Sequence, residues 1–165
     1  MDENALVRAT AVKRAGEWPG AEARDTLTLD FDDRHRRRRR YTAKGGLAFL
    51  LDLPEAAVLR DGDGLALEGG GFVLVRAAPE PLVEVTAETP ERLARLAWHL
   101  GNRHLPTRIE AGRLLIRDDH VIVEMLRGLG AAVRRVSEPF DPEGGAYGEH
   151  NRQPSHPHGH SHNQH

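Results

Sequence analysis

The first part of the chain alternates apolar and polar residues in short stretches. This period-two pattern is typical of half-buried β-strands, and it runs from residue 6 to 12 and from 27 to 31. The apolar run 47–51 is short enough for a buried strand that ends at Leu53–Pro54, and residues 65–77 predict a hairpin with a glycine-rich turn. Because these stretches lack helical periodicity, they predict a small all-β domain.

The second part combines strand patterns with helical periodicity, after a proline-rich joint at residues 78–81. Residues 82–85 predict a strand. A helix is expected from Pro90 to about residue 103, because Thr89 can cap it and proline is tolerated in the first helical turn. One face of this helix carries apolar side chains at helical spacing: Leu93, Leu96, Ala97 and Leu100. One further turn of that face reaches His104.

A hairpin over residues 107–117 follows, and Asp118 or Asp119 then caps a second helix that ends near Gly128–Gly130. The apolar face of this helix consists of Ile122, Met125, Leu126 and Leu129. A last strand is expected at 131–136, which gives the order βαββαβ of a ferredoxin-like unit. A unit of about fifty-five residues buries little core by itself, so pairing with a second chain or with a metal would help to stabilise it.

From Ser137 onward the apolar periodicity is lost and histidines accumulate: His150, His156, His158, His160, His162 and His165. They alternate with Pro, Gly, Ser and Asn, which no simple purification tag does, so we interpret them as a natural metal-binding tail. Imidazole suits nickel, copper and zinc, and such a run offers several weak, exchanging sites. We therefore expect an α+β chain with a β domain at 1–79, a ferredoxin-like domain at 82–148 and a disordered His-rich tail at 149–165.

Composition excludes several classes of function. The chain has 165 residues, 39% apolar and 29% charged, as in soluble globular proteins. Its net charge of −2 argues against a globally basic nucleic-acid binder and against general attraction to anionic membranes. With no cysteine, any metal must be held by nitrogen and oxygen ligands. No leader-like or membrane-length apolar stretch is present, so we expect a cytoplasmic protein without membrane or nucleic-acid partners.

Six arginines surround His35 in the stretch 34–40. They could contact a phosphate backbone, or they could form a charged strand or loop that is solvated on its outer face and balanced by Asp30, Asp32 and Asp33. We favour the second interpretation, because no aromatic residues are interleaved and no nucleic-acid motif surrounds the run. A calcium loop at 61–63 is rejected, because its later ligand positions are absent.

His104 and His120 are the candidate ligands of the ordered part of the chain. A lone histidine on an apolar stripe is more often a core residue than a ligand, but His120 at the start of the next helix and the tail favour metal binding. Asp118, Asp119, Asn102 and Arg103 are possible supporting residues. A metal-dependent hydrolase using the two histidines with Asp118 or Asp119 is disfavoured, since there is no His-Glu-x-x-His pair and no convincing general base.

With these features in view, the chain resembles the urease accessory protein E (UreE) family, the nickel-carrying chaperones of urease assembly. The most specific matches are Gly-Asn-Arg-His at residues 101–104 and Asp-His-Val at 119–121. More general matches are Asp33–Arg34, Gly45–Gly46, Leu53–Pro54, Asp61–Asp63, Met125–Leu126 and the stretch from Pro139 to Tyr147.

The resemblance implies a protein that is not an enzyme, with a β domain for peptide or partner binding and a ferredoxin-like domain that binds metal and joins a homodimer. It implies that His104 of both subunits binds one ion at the interface. It also implies that His120 contributes to a peripheral site, where Asp118 replaces a second histidine found in some members. The implied cargo is Ni(II), with Zn(II) or Cu(II) permitted by the ligand chemistry.

The implied partners are urease and the other urease accessory proteins, including a GTPase. The nearest alternative is a general histidine-rich metal buffer for nickel, zinc or copper, because delivery to a partner is not visible in a sequence. An RNA-binding module that uses the arginine run ranks below both.

Overall fold

The computed structural model describes residues 5–143, which form ten β-strands and two α-helices. The first six strands are β1 Val7–Lys13, β2 Ala23–Leu29, β3 His35–Thr42, β4 Ala48–Val58, β5 Gly64–Leu67 and β6 Phe72–Ala77. They make one sheet in the order β2-β6-β5-β1-β4-β3, with short 3₁₀ turns at Gly20–Glu22 and Asp32–Arg34 between strands. The predicted all-β character of this part is confirmed.

The inner faces of these strands enclose an apolar core. Its buried members include Ala9, Leu27, Tyr41, Phe49, Leu51, Leu65, Val73 and Val75. β5 and β6 pair in antiparallel fashion as the predicted hairpin. β4, however, does not end at Leu53–Pro54: it continues through the proline to Val58. The proline is tolerated because the register against β3 breaks there, passing from Asp52 to Ala57, so no ladder hydrogen bond needs its missing N–H.

The remaining elements are β7 Pro79–Thr86, α1 Pro90–Asn102, β8 Arg108–Glu110, β9 Arg113–Arg117, α2 His120–Gly128 and β10 Ala132–Pro139. Their sheet has the order β10-β7-β9-β8, and each neighbouring pair is antiparallel. The predicted order βαββαβ is observed, and the α+β class is confirmed. Residues 79–81, expected to be a joint, instead begin β7. They pair there with β10 alone, so the prolines interrupt no bond to a second neighbour.

Both helices pack on one face of this second sheet. The buried side chains at this contact are Leu96, Leu100, Ile122, Val123 and Leu126 from the helices and Val83, Val85, Leu114 and Ile116 from the strands. Thr89 Oγ1 accepts a hydrogen bond from the N–H of Arg92 at 3.1 Å, as predicted. Asp119, and not Asp118, caps α2, because its Oδ1 accepts from the N–H of Val121 at 3.0 Å. Within residues 5–143, neither helix is long and apolar enough to cross a membrane.

The opposite face of the second sheet carries a network of ion pairs. Arg113 pairs with Glu84 at 3.0 Å, with Glu138 at 2.6 Å and with Glu110. Arg134 pairs with Glu84 at 3.1 Å. Hydrogen bonds from Arg134 and Arg113 lower the pKa of Glu84, and those from Arg113 lower the pKa of Glu138. The network therefore holds both carboxyl groups in their charged form.

The apolar end of that same face packs against the β domain through Phe140. This side chain is fully buried with Leu82 and Leu115, and its ring meets that of Phe31 edge-on at 5.3 Å. β10 accordingly runs beyond the predicted 131–136, and the stretch after Ser137 begins with strand and a buried anchor. A single buried aromatic residue leaves no periodic signal, which is why the pattern missed it.

Candidate metal centre

His104 lies just beyond the end of α1, in a left-handed backbone conformation with a φ of 58°. Its N–H donates to the carbonyl of Gly101 at 3.0 Å, and the N–H of Leu105 donates to the carbonyl of Leu100 at 3.3 Å. These two bonds form a Schellman motif, with His104 at the position that usually holds glycine. His104 is exposed. The prediction that it continues the apolar face of α1 is wrong, because the chain has already left the helix and that face packs on its own sheet.

The end of α2 provides an internal comparison. There the N–H of Gly130 donates to the carbonyl of Arg127 at 3.0 Å, and the N–H of Ala131 donates to that of Leu126 at 3.0 Å. The motif is the same, but its left-handed position holds glycine, with a φ of 89°. A side chain at such a position costs about 1 kcal/mol or more relative to glycine, and histidine tolerates it better than most residues. Among residues 5–143, His104 is the one non-glycine residue that accepts this strain, which is typical of a position where the side chain has a function.

His120 is the first residue of α2 and is exposed. With Asp118 and Glu124 it lines a groove of about 510 Å³ whose other walls include Val83, Val123, Val133 and Arg134. Arginines engage both carboxylates of this groove: Arg135 lies 3.4 Å from Asp118, and Arg127 lies 3.0 Å from Glu124. The positive end of the α2 dipole also disfavours a cation here. Metal at His120 would therefore compete with these charges.

A second groove joins the ends of the two helices. It is lined by Leu105 and Pro106, which follow His104, and by Asp118 and Asp119 at the start of α2. One oxygen of Asp119 already serves as the helix cap. Across the described ranges of one chain, no three His, Asp or Glu side chains are grouped so that they could hold an ion.

Two of the four supporting residues that the sequence suggested, Asn102 and Arg103, lie at the end of α1. Asn102 is the last residue of α1, and the N–H of Arg103 donates to the carbonyls at the end of that helix. Both side chains are exposed. His99 lies earlier on α1, where its ring meets that of Trp98 edge-on at 5.2 Å. The structure therefore gives Asn102 and Arg103 a backbone role in placing His104.

The segment that leads to the tail is held beside the loop that follows His104. We call residues 139–143 the strap. The N–H of Glu143 donates to the carbonyl of Thr107 at 2.9 Å, and Arg108 donates to the carbonyl of Pro139 at 2.8 Å. Thr107 is only three residues beyond His104. The strap thus ends next to the loop that carries the candidate ligand.

Two arginines of the β domain fasten the middle of the strap. Arg34 is fully buried, and its guanidinium donates to the carbonyl of Phe140 and lies 3.4 Å from Asp141. Arg60 lies 3.3 Å from Asp141 and donates to the carbonyl of Pro142 at 2.6 Å. Arg34 is therefore not part of a solvated charge run, as the sequence suggested, but a buried anchor between the two sheets.

The six tail histidines, from His150 to His165, lie outside the described residues. His150 follows Glu143 by seven residues in the sequence. A fully extended chain of that length spans at most about 25 Å.

Within residues 5–143, the large exposed apolar side chains lie on the second sheet and its helices. Among the described residues, the large exposed apolar side chains are Trp98 (65% exposed), Ile109 (53%), Val121 (68%) and Leu129 (46%). No comparable residue of the described β domain is exposed. Of the two units, the second therefore presents the larger apolar side chains to solvent.

Comparison with known proteins gives consistent matches along the chain. Residues 7–78 match the family model for the N-terminal domain of the UreE urease accessory protein, and residues 80–165 match that for its C-terminal domain. The urease accessory protein UreE of Bradyrhizobium sp. strain BTAi1 is 57% identical over 155 residues, which are 94% of this chain and 73% of the relative. That of Chelativorans sp. strain BNC1 is 51% identical over 161 residues, 97% of this chain and 99% of the relative. On these matches, the chain belongs to the UreE family of urease accessory proteins.

Proposed function

We propose that this protein is a cytoplasmic metallochaperone that binds Ni(II) and delivers it to apo-urease for insertion into the urease metallocentre. Its membership of the UreE family supports a role in urease maturation, with urease and the other accessory proteins, including a GTPase, as partners. The observation that carries the metal-binding part is His104, an exposed imidazole that the backbone of a helix end fixes at the expense of local strain.

The proposed carrier is a homodimer in which the two copies of His104 hold one ion. A two-fold interface brings the same residue of both chains to the axis, so one histidine per chain becomes two ligands. The lack of a three-ligand group within residues 5–143 of one chain is consistent with a site that needs the second copy. The exposed apolar side chains of the second unit would supply the contact surface. In this proposal the ferredoxin-like domain at 82–148 dimerises and the β domain at 1–79 binds a peptide or protein partner.

The other candidate ligands take secondary places. His120 would make a weaker peripheral site, because the groove around it contains engaged carboxylates and arginines. The tail histidines would act as a reservoir of exchanging sites rather than as the principal site. The strap supports this arrangement, since its last residue, Glu143, is hydrogen-bonded to Thr107, which is close in sequence to His104. Zn(II) and Cu(II) would also bind in vitro, because imidazole accepts them.

The test uses the full chain and a chain that ends at residue 149, each with and without His104→Ala. Nickel per dimer is measured by equilibrium dialysis with metal analysis, and oligomeric state by sedimentation. We expect truncation to lower the number of ions bound while leaving the dimer and one tight ion, and the added His104→Ala change to remove that ion. A truncated chain that binds no nickel at micromolar concentration, or a monomer with one ion per chain, would overturn the central site.

Delivery is tested separately with purified apo-urease. Nickel-loaded carrier should activate apo-urease faster than the same concentration of free nickel, and carrier with His104→Ala should lose most of this advantage. If loaded carrier only withholds nickel from urease, the protein is a metal buffer and not a chaperone.

A further inference from the structure

The strand that contains the arginine run forms an open edge of the first sheet. In the part of the chain that the structure describes, β3 pairs with β4 on one side, and no strand lies on its other side. Every second residue of such a strand directs its N–H and C=O away from the sheet. Over His35–Thr42, β3 therefore offers a row of backbone donors and acceptors about eight residues long.

Positive charge dominates this edge. Arg37, Arg38, Arg39 and Arg40 are all exposed. Arg36 and Arg39 share one carboxylate oxygen of Asp33, at 3.0 and 3.3 Å. The local balance is therefore strongly basic, although the whole chain carries a net charge of −2.

The register extends the basic surface onto the outer face of the sheet. Arg40 lies opposite Leu50, which lies opposite Arg8 on β1. Leu50 is only 1% exposed, although it lies outside the core cluster of that sheet. Arg8 pairs with Asp52 at 3.1 Å, and Asp52 is also the register partner of Arg38. Arginines of β1 and β3 therefore lie side by side across this face, with Asp52 between them.

Two other roles for the basic edge explain fewer of its features: protection of the strand against aggregation, and binding of a nucleic acid. Charged residues protect edge strands from aggregation, but here five consecutive arginines also give the edge a single sign of charge. A single-stranded nucleic acid would need an aromatic side chain for base stacking. The aromatic ring of β3, Tyr41, is only 6% exposed and lies beneath Arg39, whose guanidinium carbon is 5.4 Å from the ring centre.

We propose that β3 docks an extended acidic segment of a partner protein, which adds to the sheet as a further strand with its carboxylates against the arginines. Backbone hydrogen bonds along the open edge supply the affinity, and the arginines select for acidic sequence and speed the encounter. The docking surface lies in the β domain, and this inference rests on the partner-binding role proposed for that domain.

The test uses a fluorescent peptide of alternating Glu and Val, eight residues long, bound to the full chain and followed by fluorescence polarisation. Arg38→Gln with Arg40→Gln removes two charges but keeps the aliphatic stems. Arg92→Gln with Arg95→Gln, two exposed arginines of α1, is the matched control. We expect the β3 pair to weaken peptide binding about tenfold, the control pair to change it less than twofold, and both to leave nickel binding unaltered.

Two further probes separate strand addition from charge attraction alone. The same peptide with alternate backbone nitrogens methylated keeps its charge but cannot pair, and it should bind at least tenfold more weakly. Equal binding of the methylated peptide would overturn the proposal. So would tight, salt-sensitive binding of a twelve-residue oligouridylate that the β3 pair abolishes, since that result would assign the surface to RNA.

Discussion

Replacing His104 by glycine should remove the tightest metal site without loss of stability. Glycine adopts the left-handed conformation at no steric cost, whereas the native φ of 58° costs a histidine about 1–2 kcal/mol. Against this gain, glycine loses about 0.5–1 kcal/mol more backbone entropy on folding. The two terms leave a free energy of unfolding that is unchanged or raised by up to about 1.5 kcal/mol. His104→Ala keeps the strain and should therefore be less stable than His104→Gly.

The glycine at the end of α2 supplies the mirror-image control. A Cβ built on Gly130 meets no atom within 4 Å, so Gly130→Ala changes only the backbone energy. The same two terms with opposite sign give a cost of up to about 1.5 kcal/mol of stability, and the nickel site should stay intact. His104→Gly should show the opposite pair of effects, with the metal lost and the fold preserved.

The assay is urea unfolding of the metal-free proteins, followed by nickel titration of chains that end at residue 149. The stability order expected is His104→Gly first, His104→Ala below it, and Gly130→Ala below wild type. If His104→Gly proves less stable than His104→Ala, the helix does not end in the left-handed motif. If the truncated His104→Gly chain keeps the tightest site, His104 is not the ligand.

Three further predictions concern pH and the strap. Nickel binding should weaken as pH falls through about 6.5, where protons compete for imidazoles, and a midpoint near 4 by dialysis would instead indicate carboxylate ligands. Arg113 lowers the pKa of Glu138 in the folded protein, so this ion pair contributes its full stability above about pH 4.3, the pKa of an unperturbed glutamate. The contribution is lost as the pH falls through the lower pKa of the folded state. Glu138→Gln should therefore make stability less dependent on pH in acid, as followed by circular dichroism. Arg60→Ala should cost about 1–2 kcal/mol in urea unfolding and speed amide exchange at Glu143, while Arg92→Ala should do neither.

Periodicity was sufficient for the elements but not for their ends. Apolar spacing predicts the two helices and the order βαββαβ, and Thr89 and an aspartate before α2 predict the helix caps. Pro54 misled the prediction, because a proline ends a strand only where its N–H is needed, and the register break at that point is a property of the pairing with β3. Such a break depends on the partner strand, which local pattern does not describe.

The position of His104 shows the same limit at the site itself. Helical spacing projects it onto the apolar face of α1, yet the chain turns left-handed at that residue. A sequence with glycine at this position would have signalled the helix end, as Gly130 does for α2. With histidine at this position, the sequence carries no glycine to mark the end of α1. On the proposed function, metal binding and not backbone conformation determines which residue stands there. The burial of Arg34 was not predicted for a related reason, because it depends on Phe140 and Asp141, which are more than a hundred residues away in the sequence.

On the proposed function, an incomplete site within one chain suits a carrier. A full set of ligands on rigid elements would hold nickel tightly and release it slowly, whereas a single imidazole per chain depends on a second copy for its affinity. The backbone motif at the end of α1 fixes the position of the His104 backbone. In this proposal the two copies of His104 can therefore bind one ion without further protein ligands from residues 5–143. The strap brings Glu143 next to this loop in the fold. In this proposal the histidines that follow in the sequence supply the exchanging ligands. In this proposal, tight binding therefore depends on the fixed helix end of each copy, and rapid release depends on the tail.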